Sequence, residues 1–277
     1  MNIRTIAIMF PIAFAASLAA PAPGAAIPPD ADNATKALVE TPRHGEWVNV
    51  PQGEGEPEIR TWVVYPERAD KAPVVIVIHE IFGLTDWVRA VADSLAEEGF
   101  IAVAPDLLSG LGPNGGGTES FEGDAVRAAI RNISNEEATK RLNAVRAWAH
   151  AQPAAADTTG CVGYCWGGST VFTWATMQPE LDAAVVYYGT APTDEAALAK
   201  IAAPVLGLYG GDDARVTSSV APTEEAMKKV GKPFTAHTYE GAGHGFLRQQ
   251  TGREGANEKA AREAWEETVG FFKKNLE

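Results

Sequence analysis

The chain has 277 residues, 45% of them hydrophobic and 21% charged, with a formal net charge of -13. That is enough apolar material for one large α/β domain or two small ones. The charge argues against nucleic acid or anionic lipid as a partner, and an anionic small molecule would need local arginines to offset the same field.

The N-terminus, MNIRTIAIMFPIAFAASLAAPAPGAAIPPD, has one Arg, then an apolar run from Ile6 to about Leu18, then small residues. That order reads as a secretory signal peptide over 1–26, cut somewhere between 19 and 26. The run is shorter than the roughly 20 residues a membrane span takes. The expectation is an exported protein, periplasmic or secreted, with no membrane attachment after cleavage. The Pro- and Ala-rich stretch 27–41 reads as linker, and 42–277 as a single α/β domain.

Two strands are expected in EWVNV and EIRTWVVY, around the polar turn QGEGEPE. PVVIVIHE (73–80) is a continuous β-branched run, as in a strand buried on both faces of a parallel sheet. A helix follows over 86–100, with Gly99 at its C-terminal end, and then the strand FIAVAPDLL. Ser109 to Glu122 reads as a Gly-rich loop able to lie over a site. A helix is expected over 135–152, a strand over 160–165, and a second helix through about Met177. Three more strands, 181–189, 203–210 and 232–240, alternate with helices, and 257–276 is a long amphipathic helix. Such alternation predicts a mostly parallel central sheet with helices on both faces. Functional groups in such sheets gather at the C-terminal ends of strands.

There are two cysteines, Cys161 and Cys165. Their spacing within one strand and its following turn disfavours a disulfide, and no second Cys/His pair completes a zinc site. Cys161 reads as packing. Cys165 differs, because Gly163-Tyr164-Cys165-Trp166-Gly167 has the spacing of the nucleophile elbow G-x-S-x-G with Cys for Ser. Glycines are needed there because the nucleophile sits on a strained strand-to-helix turn. At a helix N-terminus the dipole favours a thiolate. The backbone N–H of Trp166 would face a developing oxyanion, and the N–H of Ile81, after the PVVIVIHE strand, would supply a second donor.

Of five histidines, His244 lies in a Gly-flanked loop after a late strand, where a base belongs. His79 ends a strand beside the site and can shape the loop there; His237 reads as a strand residue, His44 as near the tail and His150 as late in a helix. Asp213 is the acid expected to orient His244, with Asp212 as the fallback.

HEIFGL (79–84), GYCWGG (163–168), GGDDARV (210–216) and GHGF (243–246) together resemble the dienelactone hydrolase family of α/β-hydrolases, over roughly residues 45–275. The resemblance implies the α/β-hydrolase fold, a Cys165–His244–Asp213 triad, no metal or organic cofactor, and opening of a cyclic enol-lactone that carries a free carboxylate. It implies that Glu80 holds the resting thiol and helps make the thiolate when substrate arrives. It also implies that Arg248, four residues after His244, clamps the substrate carboxylate, as an arginine fork suits. A second clamp would be Arg127 or Arg131. Phe82, Tyr188 and Trp166 would line the pocket. The partner so implied is an anionic small-molecule ester or lactone. A broad carboxylesterase or thioesterase on the same machinery, and a non-catalytic exported binding protein, are the alternative readings.

Overall fold

Residues 26–277 are described by a computed structural model; the expected signal peptide lies almost entirely outside them. Eight strands form one sheet: β1 (Gly45–Val50), β2 (Ile59–Val64), β3 (Ala72–Ile78), β4 (Ile101–Pro105), β5 (Ala155–Tyr164), β6 (Ala183–Tyr187), β7 (Val205–Gly210) and β8 (Phe234–Tyr239). Their spatial order is β1-β2-β4-β3-β5-β6-β7-β8. The β1–β2 and β2–β4 pairs are antiparallel, and every pair from β4 to β8 is parallel. The parallel region follows from sequence: all seven residues of β3 are buried, and β-branched side chains fill both faces of a covered sheet.

Because side chains alternate across a strand, the sheet splits the core in two. Val75 and Val77 of β3 join Val162, Val185 and Leu208 on one face, while Val74, Ile76 and Ile78 join Val103, Cys161 and Val186 on the other. Cys161 is completely buried there, as a packing residue.

The helices are α1 (Ala34–Glu40), α2 (Asp86–Glu97), α3 (Ala125–Arg131), α4 (Asn135–His150), α5 (Trp166–Met177), α6 (Glu195–Leu198), α7 (Ala214–Thr217), α8 (Val220–Lys229) and α9 (Ala256–Leu276). α2 and α9 cover the first face, with Trp87, Val91, Trp265 and Phe272 facing inward, and α4, α5 and α8 cover the second. Ser134 caps α4 by accepting from the Glu137 N–H at 3.1 Å, the arrangement a helix start favours. Among the described residues, no helix is long and apolar enough to cross a membrane.

Two expectations need correction. Residues 27–41 are not a free linker: α1 lies within them and packs on α2, with Ala34 fully buried and Leu38 against the core. Thr41 Oγ1 donates to Asp93 at 2.8 Å and Thr35 Oγ1 to Asp86 at 2.7 Å. Ahead of the helix, Ala31 N donates to the Arg248 carbonyl at 3.0 Å and Gln250 Nε2 to the Pro28 carbonyl at 2.8 Å. The Gly-rich stretch 109–122 does not lie over the candidate site. The Asp106 carboxylate organises it, accepting from Thr118 N and Thr118 Oγ1 at 2.7 Å each. Thr118 Oγ1 in turn accepts from Leu84 N at 3.0 Å, so the loop braces the turn after β3 from behind.

Candidate active site

β5 runs directly into α5 through Cys165, whose backbone has φ 56° and ψ -112°. That left-handed region is costly for a residue with a Cβ and persists only where the surroundings enforce it. Here Cys165 N donates to the Tyr187 carbonyl at 3.1 Å, and the Cys165 carbonyl accepts from Ser169 N at 3.2 Å. The flanking glycines are required by close approach: a β-carbon on Gly163 would run into the Gly167 backbone, and one on Gly167 into the carbonyl oxygens of Ile78 and His79.

The turn after β3 supplies the facing wall. Glu80 and Gly83 close a tight turn, with Gly83 N donating to the Glu80 carbonyl at 3.2 Å. His79 is fully buried. Its Nε2 accepts from Leu107 N at 3.2 Å, which leaves the proton on Nδ1, and that group donates to the Glu80 carbonyl at 2.8 Å. Burial holds the imidazole below its usual pKa and hence neutral. In a trans peptide the next N–H points opposite to the carbonyl, so His79 and Gly83 together aim the Ile81 N–H away from themselves. The His79 ring also stacks on Trp166 at 5.5 Å between centroids. Among the described residues, neither the Ile81 nor the Trp166 N–H donates to a backbone or side-chain oxygen; the Trp166 N–H faces the Cys165 sulfur and favours its thiolate.

The acid and the imidazole come from the ends of β7 and β8. His244 Nδ1 lies 2.5 Å from Asp213 Oδ2, with the Asp213 side chain buried and His244 half-buried. Asp212 instead pairs with Arg253 at 2.9 Å, so geometry selects Asp213 of the two adjacent acids. His237, within β8, lies 3.3 Å from Glu267 and does not line the cavity. Tyr188 is buried in a left-handed conformation, φ 42°, and its ring meets His244 edge-on at 5.0 Å.

These groups surround a cavity of about 530 Å³, within the usual range for small-molecule sites. Cys165, His244, Glu80, Ile81 and Trp166 all line it, as do Phe82, Tyr188 and Arg248. The residues expected at the site are therefore brought to one cavity, except Asp213, which stands behind His244, and Arg127, the alternative second clamp.

The electrostatics differ from expectation at Glu80. Among the described residues the Cys165 thiol makes no side-chain hydrogen bond, and Glu80 does not hold it. Glu80 is instead ion-paired with Arg248, Nε to Oε2 at 2.8 Å, although that N–H is not aligned as a hydrogen-bond donor. The physical reason is burial: a carboxylate only a few per cent exposed needs a cation, and Arg248 is the one in reach. Burial still pushes the Glu80 carboxyl up to about 7, with the Arg248 guanidinium opposing it. Burial and the Glu80 charge raise the Cys165 thiol, while the Trp166 N–H and Arg215 lower it.

A pH dependence follows. Folded Glu80 holds its proton to higher pH than the unfolded chain, whose value is near 4.5. Its contribution to stability is fully present below pH 4.5 and is lost as pH rises through 7, by about 3 kcal/mol at most. Urea unfolding at pH 5 and pH 8 is expected to show that loss in the wild type and a flatter profile in Glu80→Gln. An unchanged slope in the variant would place the titration elsewhere.

Sequence reading missed Arg215, which lines the cavity with its Nη2 3.5 Å from His244 Nδ1. The signal was its place two residues after Asp213. Of the two possible second clamps, Arg131 lines the cavity, while Arg127 pairs with Asp124 at 3.1 Å and covers Phe82 from 4.9 Å. Arg248 sits at the same distance from Phe82, so this ring touches two guanidiniums. No group of three or more His, Cys, Asp or Glu side chains able to hold a metal occurs among the described residues.

Comparison with known proteins gives a consistent picture. A family model described as the dienelactone hydrolase family matches residues 59–276. A candidate carboxymethylenebutenolidase of Salmonella typhimurium is 31% identical over 221 residues, spanning 75% of this chain and 79% of the relative. Another, from Saccharolobus solfataricus, is 29% identical over 247 residues, spanning 78% and 94%. The crystal structure of a candidate dienelactone hydrolase from Klebsiella pneumoniae matches with a TM-score of 0.73 at 26% identity, covering 84% of this chain and 100% of that one.

Proposed function

The chain belongs to the dienelactone hydrolase family of carboxylic ester hydrolases, and on that premise we propose that it cleaves a dienelactone-type enol-lactone or related ester through an acyl-enzyme on Cys165. The observation that supports this most directly is the gathering of a strained Cys165, an Asp213-bound His244 and the Ile81 and Trp166 backbone N–H groups, neither of which donates to an oxygen, around one cavity.

In this reading the Cys165 thiol gives its proton to His244 Nε2, and the sulfur attacks the acyl carbon. The carbonyl π electrons move onto oxygen, where the Ile81 and Trp166 N–H groups stabilise the charge. His244 returns the proton to the leaving oxygen as the acyl C–O bond breaks, leaving a thioester on Cys165. For a lactone the leaving oxygen stays tethered to the acyl group. Water then attacks the thioester, His244 takes its proton, and the C–S bond breaks to restore the thiol. Asp213 fixes the ring tautomer and balances the imidazolium.

An anionic substrate reaching Arg248 shares or displaces Glu80, so binding changes the charge beside the thiol. At rest, burial and Glu80 keep that thiol protonated, which protects it from oxidation, since thiolates are the oxidisable form. The occupation of Arg248 by Glu80 also favours a second reading, a broader esterase or thioesterase for neutral acyl groups that leaves the ion pair intact.

The two readings separate on turnover of a cis- or trans-dienelactone beside p-nitrophenyl acetate, each with wild type and Arg248→Ala. Efficient lactone opening that collapses in Arg248→Ala, while the acetate ester survives better, supports the anionic lactone. Acetate turnover with negligible lactone opening supports the broader esterase.

A further inference from the structure

The turn that carries Ile81 is tied at both ends to one distant stretch of chain. At its start, Leu107 N donates to His79 Nε2 at 3.2 Å, and His79 Nδ1 donates to the Glu80 carbonyl at 2.8 Å. At its end, Leu84 N donates to Thr118 Oγ1 at 3.0 Å. Among the described residues Leu84 N donates to no backbone carbonyl, so the Thr118 hydroxyl is what it rests on. The same side chain fills the space beside Gly83, where a β-carbon would strike it.

Thr118 is in turn fixed by a buried carboxylate. Asp106 is 2% exposed, and it accepts from Thr118 N and Thr118 Oγ1 at 2.7 Å each and from Leu108 N at 3.0 Å. A carboxylate out of water needs such donors, and leaving it short of one is costly. The approach is close, since a β-carbon on Gly117 would meet Asp106 Oδ2. The hydroxyl has no choice of direction. An ionised carboxylate only accepts and an amide N–H only donates, so the Thr118 proton goes to Asp106 and a lone pair receives Leu84 N.

We propose that Thr118, held by Asp106, is a positioning residue for the oxyanion hole. It fixes the turn over 80–84 so that the Ile81 N–H meets the charge developing on the substrate oxygen. The inference rests on the acyl-enzyme reading above. Oxyanion donors act over a narrow range of about 2.7–3.1 Å, and a misplacement of about 1 Å at a reacting centre costs on the order of 10²-fold. Thr118 does not line the cavity, so it acts through the turn and not on the substrate.

The test separates the oxyanion from the thiol. Trifluoroacetophenone takes the Cys165 sulfur onto its carbonyl carbon, while the thiol proton passes to His244 and the carbonyl π electrons move onto oxygen. Its inhibition constant therefore reads the oxyanion hole. Iodoacetamide alkylates the same sulfur by losing iodide and builds no oxyanion, so its rate reads the thiol and imidazole alone. Wild type, Thr118→Val, Thr118→Ser and Cys165→Ala are compared. Thr118→Val keeps the shape and removes the hydroxyl. It is expected to raise the inhibition constant about tenfold while changing the alkylation rate by less than about twofold. Thr118→Ser, which keeps the hydroxyl, is expected to stay within about twofold of wild type on both readouts. Thr118→Ala carries the expectation of the valine variant should that variant fail to fold. An unchanged inhibition constant, a rise matched by equally slowed alkylation, or a rise that Thr118→Ser shares, overturns the positioning role and leaves the acyl-enzyme reading standing. Inhibition that is undiminished in Cys165→Ala overturns both.

Discussion

Replacing Cys165 with alanine is expected to lower kcat/KM for every ester the protein turns over by at least about 10³-fold, the scale on which removal of a nucleophile acts. The loss is expected without loss of fold, because the cysteine occupies a turn whose strain a smaller side chain does not increase. The variant should keep its urea midpoint while its product formation falls to near background. The pH profile of the wild type gives an independent check. Burial and the Glu80 charge raise the thiol, so alkylation of Cys165 by iodoacetamide at neutral pH should be slow and should accelerate as pH rises. Glu80→Gln removes a negative neighbour and should speed that alkylation at pH 7. Turnover of p-nitrophenyl acetate that survives in Cys165→Ala within tenfold would mean that the nucleophile lies elsewhere.

Gly167→Ala is expected to destabilise the protein strongly. The added carbon would collide with the carbonyl oxygens of Ile78 and His79, which are backbone atoms at the end of a strand buried on both faces. No flexible side chain can move to make room. Overpacking of this kind costs about 3 kcal/mol or more when backbone must shift. Such a shift would also carry the Ile81 N–H away from the thiol. Gly270→Ala, on the exposed face of α9 with nothing within 4 Å of the new carbon, is the matched control. It should stabilise the protein by roughly 0.5–1 kcal/mol, because alanine is the better helix former. Urea midpoints of the two variants moving in opposite directions would support this packing argument, and equal midpoints would refute it.

The two results rest on features of unequal visibility in the sequence. β3 and β7 are legible because a strand buried on both faces must be apolar without interruption, and VVIVI and VLGLY are; β5 is legible only over 160–165, because its first residues, Ala155 to Thr159, include polar and exposed positions. Cys165 is legible because glycines on both sides answer a local steric demand. Asp213 and His244 follow from their positions after strands. Three features were not legible, each for its own physical reason. α1 has seven residues, too few to be stable alone; it exists because Ala34 and Leu38 find α2, a partner some 50 residues away. The Glu80–Arg248 pair joins side chains from two strand ends, and nothing in either local stretch signals that burial will force them together. Arg215 was visible in the quoted motif, but only the turn of α7 decides that its side chain faces the cavity.

The anchoring of the segment before α1 has a consequence in time rather than in space. Gln250 bonds to Pro28 across 222 positions of chain, and Ala31 bonds to the carbonyl of Arg248. Neighbouring strands and their helices close short loops, which cost little chain entropy; this contact closes a loop nearly as long as the described chain, where the cost is greatest. The arginine beside the thiol is thus set in place by two stretches that lie far apart along the chain. During refolding from urea, the signal of sheet formation should return before esterase activity, with docking of residues 27–41 as the step between them.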